Sequence, residues 1–195
     1  AGILLKAERI ILNYISHLSG IANNTRNFVA KMQESKTRLL DTRKTLPGLR
    51  YPEKYAVRLA GGFNHRFNLQ DMLMLKDNHI DRVGSITKAV NSLRNSYSPC
   101  PPIEVECRNN QDVLEAVNCQ VERIMLDNMS VEEMKSSLLS IPEHIESEIS
   151  GGVTLENISS LAELGADYIS VGCLTNSAPT ADFSMNITLE IPNHI

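Results

Sequence analysis

The sequence predicts an α/β protein built as a (β/α) barrel, TIM-barrel-like and either whole or incomplete, preceded by a long N-terminal helix. Three observations point there. Short apolar runs alternate with helix-patterned segments through most of the chain, which demands a parallel sheet with helical crossovers, and six or more such units favour a barrel. Almost every run ends in a polar or glycine-bearing group: Asp41 to Lys44, Lys76-Asp77, Glu106, Asp127, Ser150-Gly-Gly152 and Gly172. In a barrel the carboxyl ends of the strands form one mouth, so such groups converge although they lie far apart in sequence. An open doubly wound sheet is the alternative arrangement.

From Lys6 to Met32, Ile10, Ile11, Tyr14, Ile15, Leu18, Ile21 and Ala22 recur at helical spacing, predicting one amphipathic helix interrupted or bent near Gly20. Strands are expected at Arg38–Leu40, Met72–Leu75, Ile103–Val105, Arg123–Leu126, Ile145–Ile149 and Tyr168–Val171, all short apolar runs. Helices are expected near Pro52–Ala60, Ser85–Leu93, Gln111–Val117, Ser130–Leu139 and Leu155–Leu164. Ser130-Val-Glu-Glu133 reads as a capping box, and Thr154 as a cap for the helix after Gly152-Val153. The domain division this implies is 1–36 for the leading helix, 37–188 for the barrel and 189–195 for a tail.

Composition fits an ordinary soluble globule: 42% hydrophobic and 22% charged residues, with no apolar run near the roughly 20 residues of a membrane span. Ala1 opens no signal-peptide pattern. Cysteines 100, 107, 119 and 173 form no C-x-x-C pair and no zinc spacing, so reduced thiols in a cytoplasmic protein are expected. The sequons at Asn128, Asn157 and Asn186 read as chance.

The chain has a net charge of −4, yet between Thr42 and His79 seven Lys/Arg face three Asp/Glu. A basic block inside an acidic chain predicts a pocket for a small, multiply anionic ligand; a nucleic-acid surface is usually basic over a whole face. Arg43, Lys44, His65, Arg66 and Lys76 repel one another if gathered without an anion, although each alone reads as a solvated charge. Ser150-Gly-Gly-Val-Thr154 and Ser170-Val-Gly172 look like paired late-strand loops that grip a phosphate, the plainer reading being a turn with a cap. Glu106 and Asp127 follow apolar strands and can share a magnesium ion, or else cap helices or pair with Lys76 or Arg43. His17, His144, Tyr51 and Tyr55 read as surface or packing residues.

Asp41-Thr-Arg-Lys-Thr-Leu-Pro-Gly-Leu-Arg50, Gly61-Gly-Phe-Asn-His-Arg66, Lys76-Asp-Asn-His79, Glu104-Val-Glu106, Leu126-Asp-Asn-Met-Ser130 and Ser150-Gly-Gly-Val-Thr154 occur in that order. With them the chain resembles nicotinate-nucleotide pyrophosphorylase (carboxylating), the quinolinate phosphoribosyltransferase family, from about Lys6 to Ile187. The resemblance implies transfer of a phosphoribosyl group from phosphoribosyl pyrophosphate to the ring nitrogen of quinolinate, with loss of carbon dioxide and pyrophosphate, in de novo NAD synthesis. It implies that Arg43, His65 and Arg66 bind quinolinate, with Arg9 reaching a quinolinate site across a dimer interface. It places Lys44 and Lys76 at the departing pyrophosphate, with Mg2+ on Glu106 and Asp127. Ser150, Gly151, Gly152, Gly172 and Asn176 would complete the phosphoribosyl pyrophosphate site.

The same resemblance implies a homodimer or higher oligomer and a separate N-terminal domain that caps the partner's active site. This chain begins just before the helix carrying Arg9, so that cap is expected to lie outside it. The family also tends to have His where Asn176 stands, and an amide keeps a donor but carries no charge. Two alternatives remain: a non-catalytic chain that retains anion affinity, or a related phosphoribosyltransferase-like protein with another ligand. The Arg43, His65, Arg66 set, suited to two carboxylates, argues against the latter.

Overall fold

The computed structural model describes residues 2–186; the expected tail at 189–195 lies outside them. The elements run α1 (Gly2–Lys31), β1 (Arg38–Leu40), α2 (Arg50–Leu59), β2 (Leu73–Leu75), α3 (Asp77–Val83), α4 (Ile86–Ser96), β3 (Ile103–Cys107), α5 (Asn110–Asn118), β4 (Arg123–Asp127), α6 (Val131–Leu138), β5 (Glu146–Ser150), α7 (Ile158–Ala162) and β6 (Tyr168–Ser170), followed by a 3-10 turn at Gly172–Leu174. All six strands are parallel, in the order β1-β6-β5-β4-β3-β2. This is the winding of a barrel, each strand from β2 to β5 beside its successor and β1 returning to β6, and not the reversing order of a doubly wound sheet. The ring stays open between β1 and β2, where among the described residues a single bridge joins Leu40 to Phe63, in the segment between α2 and β2.

Alternation along the strands sorts the side chains into two populations. Ile103, Val105, Cys107, Ile124, Leu126, Ile149 and Ile169 join the core against the helices, with Val57, Val90, Val113, Ala116, Met134 and Ile158. The opposite face, read from the register, carries Met74, Glu104 and Arg123 in one row and Glu106, Met125, Glu148 and Tyr168 in another. The barrel interior is therefore largely polar, and Glu104 and Glu148 are fully buried within it.

Local signals explain most boundaries. Ser130 and Glu133 form the expected capping box of α6, and Ser85 and Asn109 cap α4 and α5 by accepting the N–H of Lys88 and Asp112. Two expectations are corrected. Helix α1 runs unbroken through Gly20. The glycine is there because the segment after the 3-10 turn crosses α1 so closely that an added Cβ would overlap the Pro179 carbonyl oxygen, and Ala181 N–H donates to Ser16 O nearby. Helix α7 starts only at Ile158, with Asn157 before it; Thr154 instead exchanges bonds with Asn157, whose Oδ1 accepts the Thr154 N–H at 2.8 Å. Helix α3 was not anticipated.

Candidate active site

A cavity of about 580 Å3 opens at the carboxyl ends of the strands. Its lining includes Arg43, Lys44, His65, Arg66, Lys76, Glu106, Asp127, Ser150, Gly151, Gly152, Gly172 and Asn176. Of the residues singled out from sequence, only Arg9 is elsewhere; it is exposed on α1.

The first wall is built on two buried ionisable residues of α2. Asp41, at the end of β1, is fully buried and receives Lys54 Nζ at 2.5 Å, His65 N–H at 2.8 Å and Asn64 Nδ2 at 2.7 Å. Lys54, 2% exposed, also donates to His65 O at 2.9 Å, so the loop that fills the open seam is latched to β1. Burial raises the Asp41 pKa and lowers that of Lys54, while their mutual attraction opposes both shifts. Glu53 accepts the Leu46 N–H at 3.3 Å and meets His17 Nε2 at 2.8 Å, fixing the loop that carries Arg43 and Lys44. Thr175 Oγ1 donates to Lys44 O at 2.8 Å from the far side. Neither Lys54 nor Glu53 was singled out from sequence; the signal was there, charged residues on the inner face of an amphipathic helix, but a solvated face reads the same way.

The cations differ in how they are held. Arg66 donates to Met72 O at 2.8 Å. Arg43 is half-buried, and its Nε is buried without a hydrogen-bond partner among the described residues. A buried guanidinium N–H left open costs free energy unless a ligand meets it. Lys44 lies across Gly172, its Cδ 3.2 Å from where a Cβ would stand, with Asn176 Nδ2 beyond it. Lys76 Nζ pairs with Glu106 Oε2 at 2.6 Å, the bland pairing foreseen from sequence.

His65, 6% exposed, sits beneath these groups. Its Nδ1 accepts the Arg66 N–H at 2.7 Å, which leaves the proton on Nε2, 3.1 Å from Glu104 and 3.5 Å from Glu148. Burial lowers the His65 pKa, so these contacts are those of a neutral ring and not an ion pair. Burial raises Glu104 to about 7, and burial with the Glu104 charge raises Glu148 to about 8. Below them Arg123 meets Glu148 at 3.3 Å and Glu146 at 2.6 Å and lies over the Tyr168 ring, 4.3 Å from its centroid, closing the barrel floor.

His65, Glu104 and Glu148 place their donor atoms within 4.8 Å of one another, a group that could hold a metal ion. To do so His65 would have to give up the Arg66 N–H or lose its ring proton, because metal-bound imidazoles normally donate, not accept, through the second nitrogen. Glu106 and Asp127 offer hard oxygen donors at the mouth itself, and each keeps one carboxylate oxygen without a hydrogen-bond partner among the described residues. Beside Asp127, on the neighbouring strand end, Gly151 (φ 87°) and Gly152 (φ 60°) adopt left-handed backbone and line the same cavity.

Among curated proteins, the chain is 48% identical over 189 residues to the "Probable nicotinate-nucleotide pyrophosphorylase [carboxylating]" of Synechocystis sp., covering 95% of this chain and 64% of that protein. It is 40% identical to the Mycobacterium leprae nicotinate-nucleotide pyrophosphorylase [carboxylating], over 94% of this chain and 66% of the relative. Among solved structures, NadC from Streptococcus pyogenes superimposes with a TM-score of 0.89 at 45% identity, over 94% of this chain and 64% of the other. The Francisella tularensis nicotinate-nucleotide pyrophosphorylase does so with 0.87 at 41%, over 92% and 64%. The chain thus spans slightly under two thirds of the length of each. A family model described as "Quinolinate phosphoribosyl transferase, C-terminal domain" matches residues 21–186, essentially the barrel and the last third of α1, and the chain belongs to that family.

Proposed function

We propose that the protein is a quinolinate phosphoribosyltransferase, joining C1 of phosphoribosyl pyrophosphate to the quinolinate ring nitrogen. Pyrophosphate and carbon dioxide leave, and nicotinate mononucleotide remains. One observation carries the reading: a single cavity gathers four cations, one of them with an unmatched buried N–H, beside two carboxylates and a glycine loop.

Arg43 and Arg66 bind the planar dicarboxylate, since guanidinium forks match carboxylates better than point charges do. His65 supports them from below, its Nδ1 engaged by the Arg66 N–H while its Nε2 lies 3.1 Å from Glu104 without a hydrogen bond among the described residues. Lys44 and Lys76 meet the negative charge that develops on the departing pyrophosphate as the C1–O bond breaks. Ser150, Gly151, Gly152, Gly172 and Asn176 hold the sugar phosphate end, so much of the acceleration is positioning. Glu106 and Asp127 would hold Mg2+, which supplies further charge neutralisation at the pyrophosphate. After transfer the C2–carboxylate bond breaks, its electron pair stays on C2 beside the cationic ring nitrogen as carbon dioxide leaves, and C2 then takes a proton from solvent at the open mouth.

Arg9 contributes from a partner subunit in a homodimer or larger assembly. Helix α1 links the barrel that follows it to a capping domain. Four unpaired cysteines suit a reducing cytoplasm, and among the described residues no helix is long and apolar enough to cross a membrane.

The test is turnover by the full-length protein with quinolinate, phosphoribosyl pyrophosphate and magnesium. Nicotinate mononucleotide and carbon dioxide are expected in equal amounts, with nicotinate a poor substitute for quinolinate. Tight quinolinate binding by calorimetry without product would establish instead a non-catalytic anion-binding protein.

A further inference from the structure

We propose that Asn128 is a positioning residue that sets the Asp127 carboxylate and the Gly151 loop against each other, an inference that rests on the function proposed above. Asn128 is one of two non-glycine residues with positive φ among the described residues, at 54°. That conformation is unfavourable for an L-residue and is tolerated best by Asn and Asp. It holds because the Asn128 N–H donates to Ser150 O at 3.0 Å, extending the β4–β5 ladder one step past the Asp127–Ser150 pair.

Anchored there, the side chain works on both neighbours. Its Nδ2 donates to Asp127 Oδ2 at 2.6 Å, fixing one oxygen of the carboxylate that faces the pyrophosphate. Its Oδ1 occupies the space beside Gly151 so closely that any Cβ at that position would overlap it. Gly151 itself sits at φ 87°, so its missing side chain serves both the loop conformation and the amide packed against it. One side chain thus spaces the two groups assigned to opposite ends of phosphoribosyl pyrophosphate. It reaches neither Arg43 nor Arg66 by any hydrogen bond, so the quinolinate end should not depend on it.

The backbone role and the side-chain role separate experimentally. Asn128→Gly accepts the positive φ at little cost and removes the amide; Asn128→Asp keeps the shape but replaces the donor with a charge beside Asp127. In the full-length protein, both substitutions are expected to raise KM for phosphoribosyl pyrophosphate about 10-fold or more, the scale of lost orienting contacts. KM for quinolinate should stay within about twofold and the melting temperature of Asn128→Gly within about 3 °C of the parent, since no core packing is lost. An unchanged KM for phosphoribosyl pyrophosphate, or equal rises in both KM values, would overturn the proposal. Calorimetric binding of phosphoribosyl pyrophosphate alone is read in parallel. A parent protein that binds it without turnover removes the proposed reaction while the Asn128 comparison still decides; a parent that binds nothing removes both.

Discussion

Lys54 carries an ammonium group into a place only 2% exposed, and two groups of one loop, Asn64 Nδ2 and the His65 N–H, depend on the carboxylate it meets. Removing one partner of such a pair strands the other charge, a loss of about 3–5 kcal/mol. Lys54→Met is therefore expected to lower the melting temperature of the protein by roughly 6–20 °C at about 2–4 °C per kcal/mol. The double variant Lys54→Met with Asp41→Asn should recover part of that loss, and calorimetric unfolding of all three proteins reads it. At the mouth the expectation reverses. The Lys76 side chain is 49% exposed and Asp127 is partly buried at the cavity mouth, outside the apolar core, so Lys76→Ala and Asp127→Ala should leave the circular dichroism spectrum and melting temperature nearly unchanged. Turnover should fall by at least about 100-fold, the scale of losing one charge-stabilising group. Parental rates in either variant contradict the assigned role.

Among the elements, the strands were legible because most are short runs rich in apolar residues with a polar end, and all six lie within two residues of expectation. What sequence could not give is what crosses an element from far away. Gly20 reads as a helix breaker by propensity, yet the helix continues and the glycine admits Pro179 from the chain's other end. Gly20→Ala, a change that ordinarily strengthens a helix by up to about 1 kcal/mol, is thus expected to destabilise the protein by about 1–3 kcal/mol. Denaturant unfolding should show the sign; a gain in stability would show that the crossing segment is not seated there. Helix α3 escaped notice because its start, Lys76, lacks a usual capping side chain and Asp77-Asn-His79 was read as a motif. There His79 Nδ1 accepts the Lys76 N–H at 3.1 Å, so part of that motif is a cap.

Across the whole molecule, the chain concentrates apolar side chains between sheet and helices and reserves the barrel interior for charge. The alternation Ile103-Glu-Val-Glu-Cys107 carried this information, since a strand covered on both faces by apolar layers would read as a continuous apolar run. Every site residue named from sequence except Arg9 lines the same cavity, but the buried Glu104 and Glu148 beneath it were not anticipated, because burial of a carboxylate depends on partners that only the fold brings near.

That interior predicts a pH response. Glu148, raised from 4.5 to about 8, binds its proton more tightly folded than unfolded, and Glu104, raised to about 7, does the same. The stability this contributes is complete below the unfolded value and is lost as pH rises through the folded ones. His65, lowered by burial, acts in the opposite sense below its usual 6.5. The clean window is therefore pH 6.5 to 8, where the melting temperature should fall by a few degrees. Each proton of difference is worth about 1.4 kcal/mol per pH unit. Glu148→Gln, which mimics the protonated carboxyl, should flatten that fall; an equal slope in the variant would show that Glu148 is not the group responsible.

The measurement that bears most directly on the whole account is a crystal structure of the full-length protein with quinolinate bound. The pyridine diacid should lie in the cavity at the strand ends, one or both carboxylates on Arg43 and Arg66, with its ring nitrogen facing the space between Asp127 and the Gly151 loop. Quinolinate bound outside that cavity, or within it but touching neither arginine, would contradict the account.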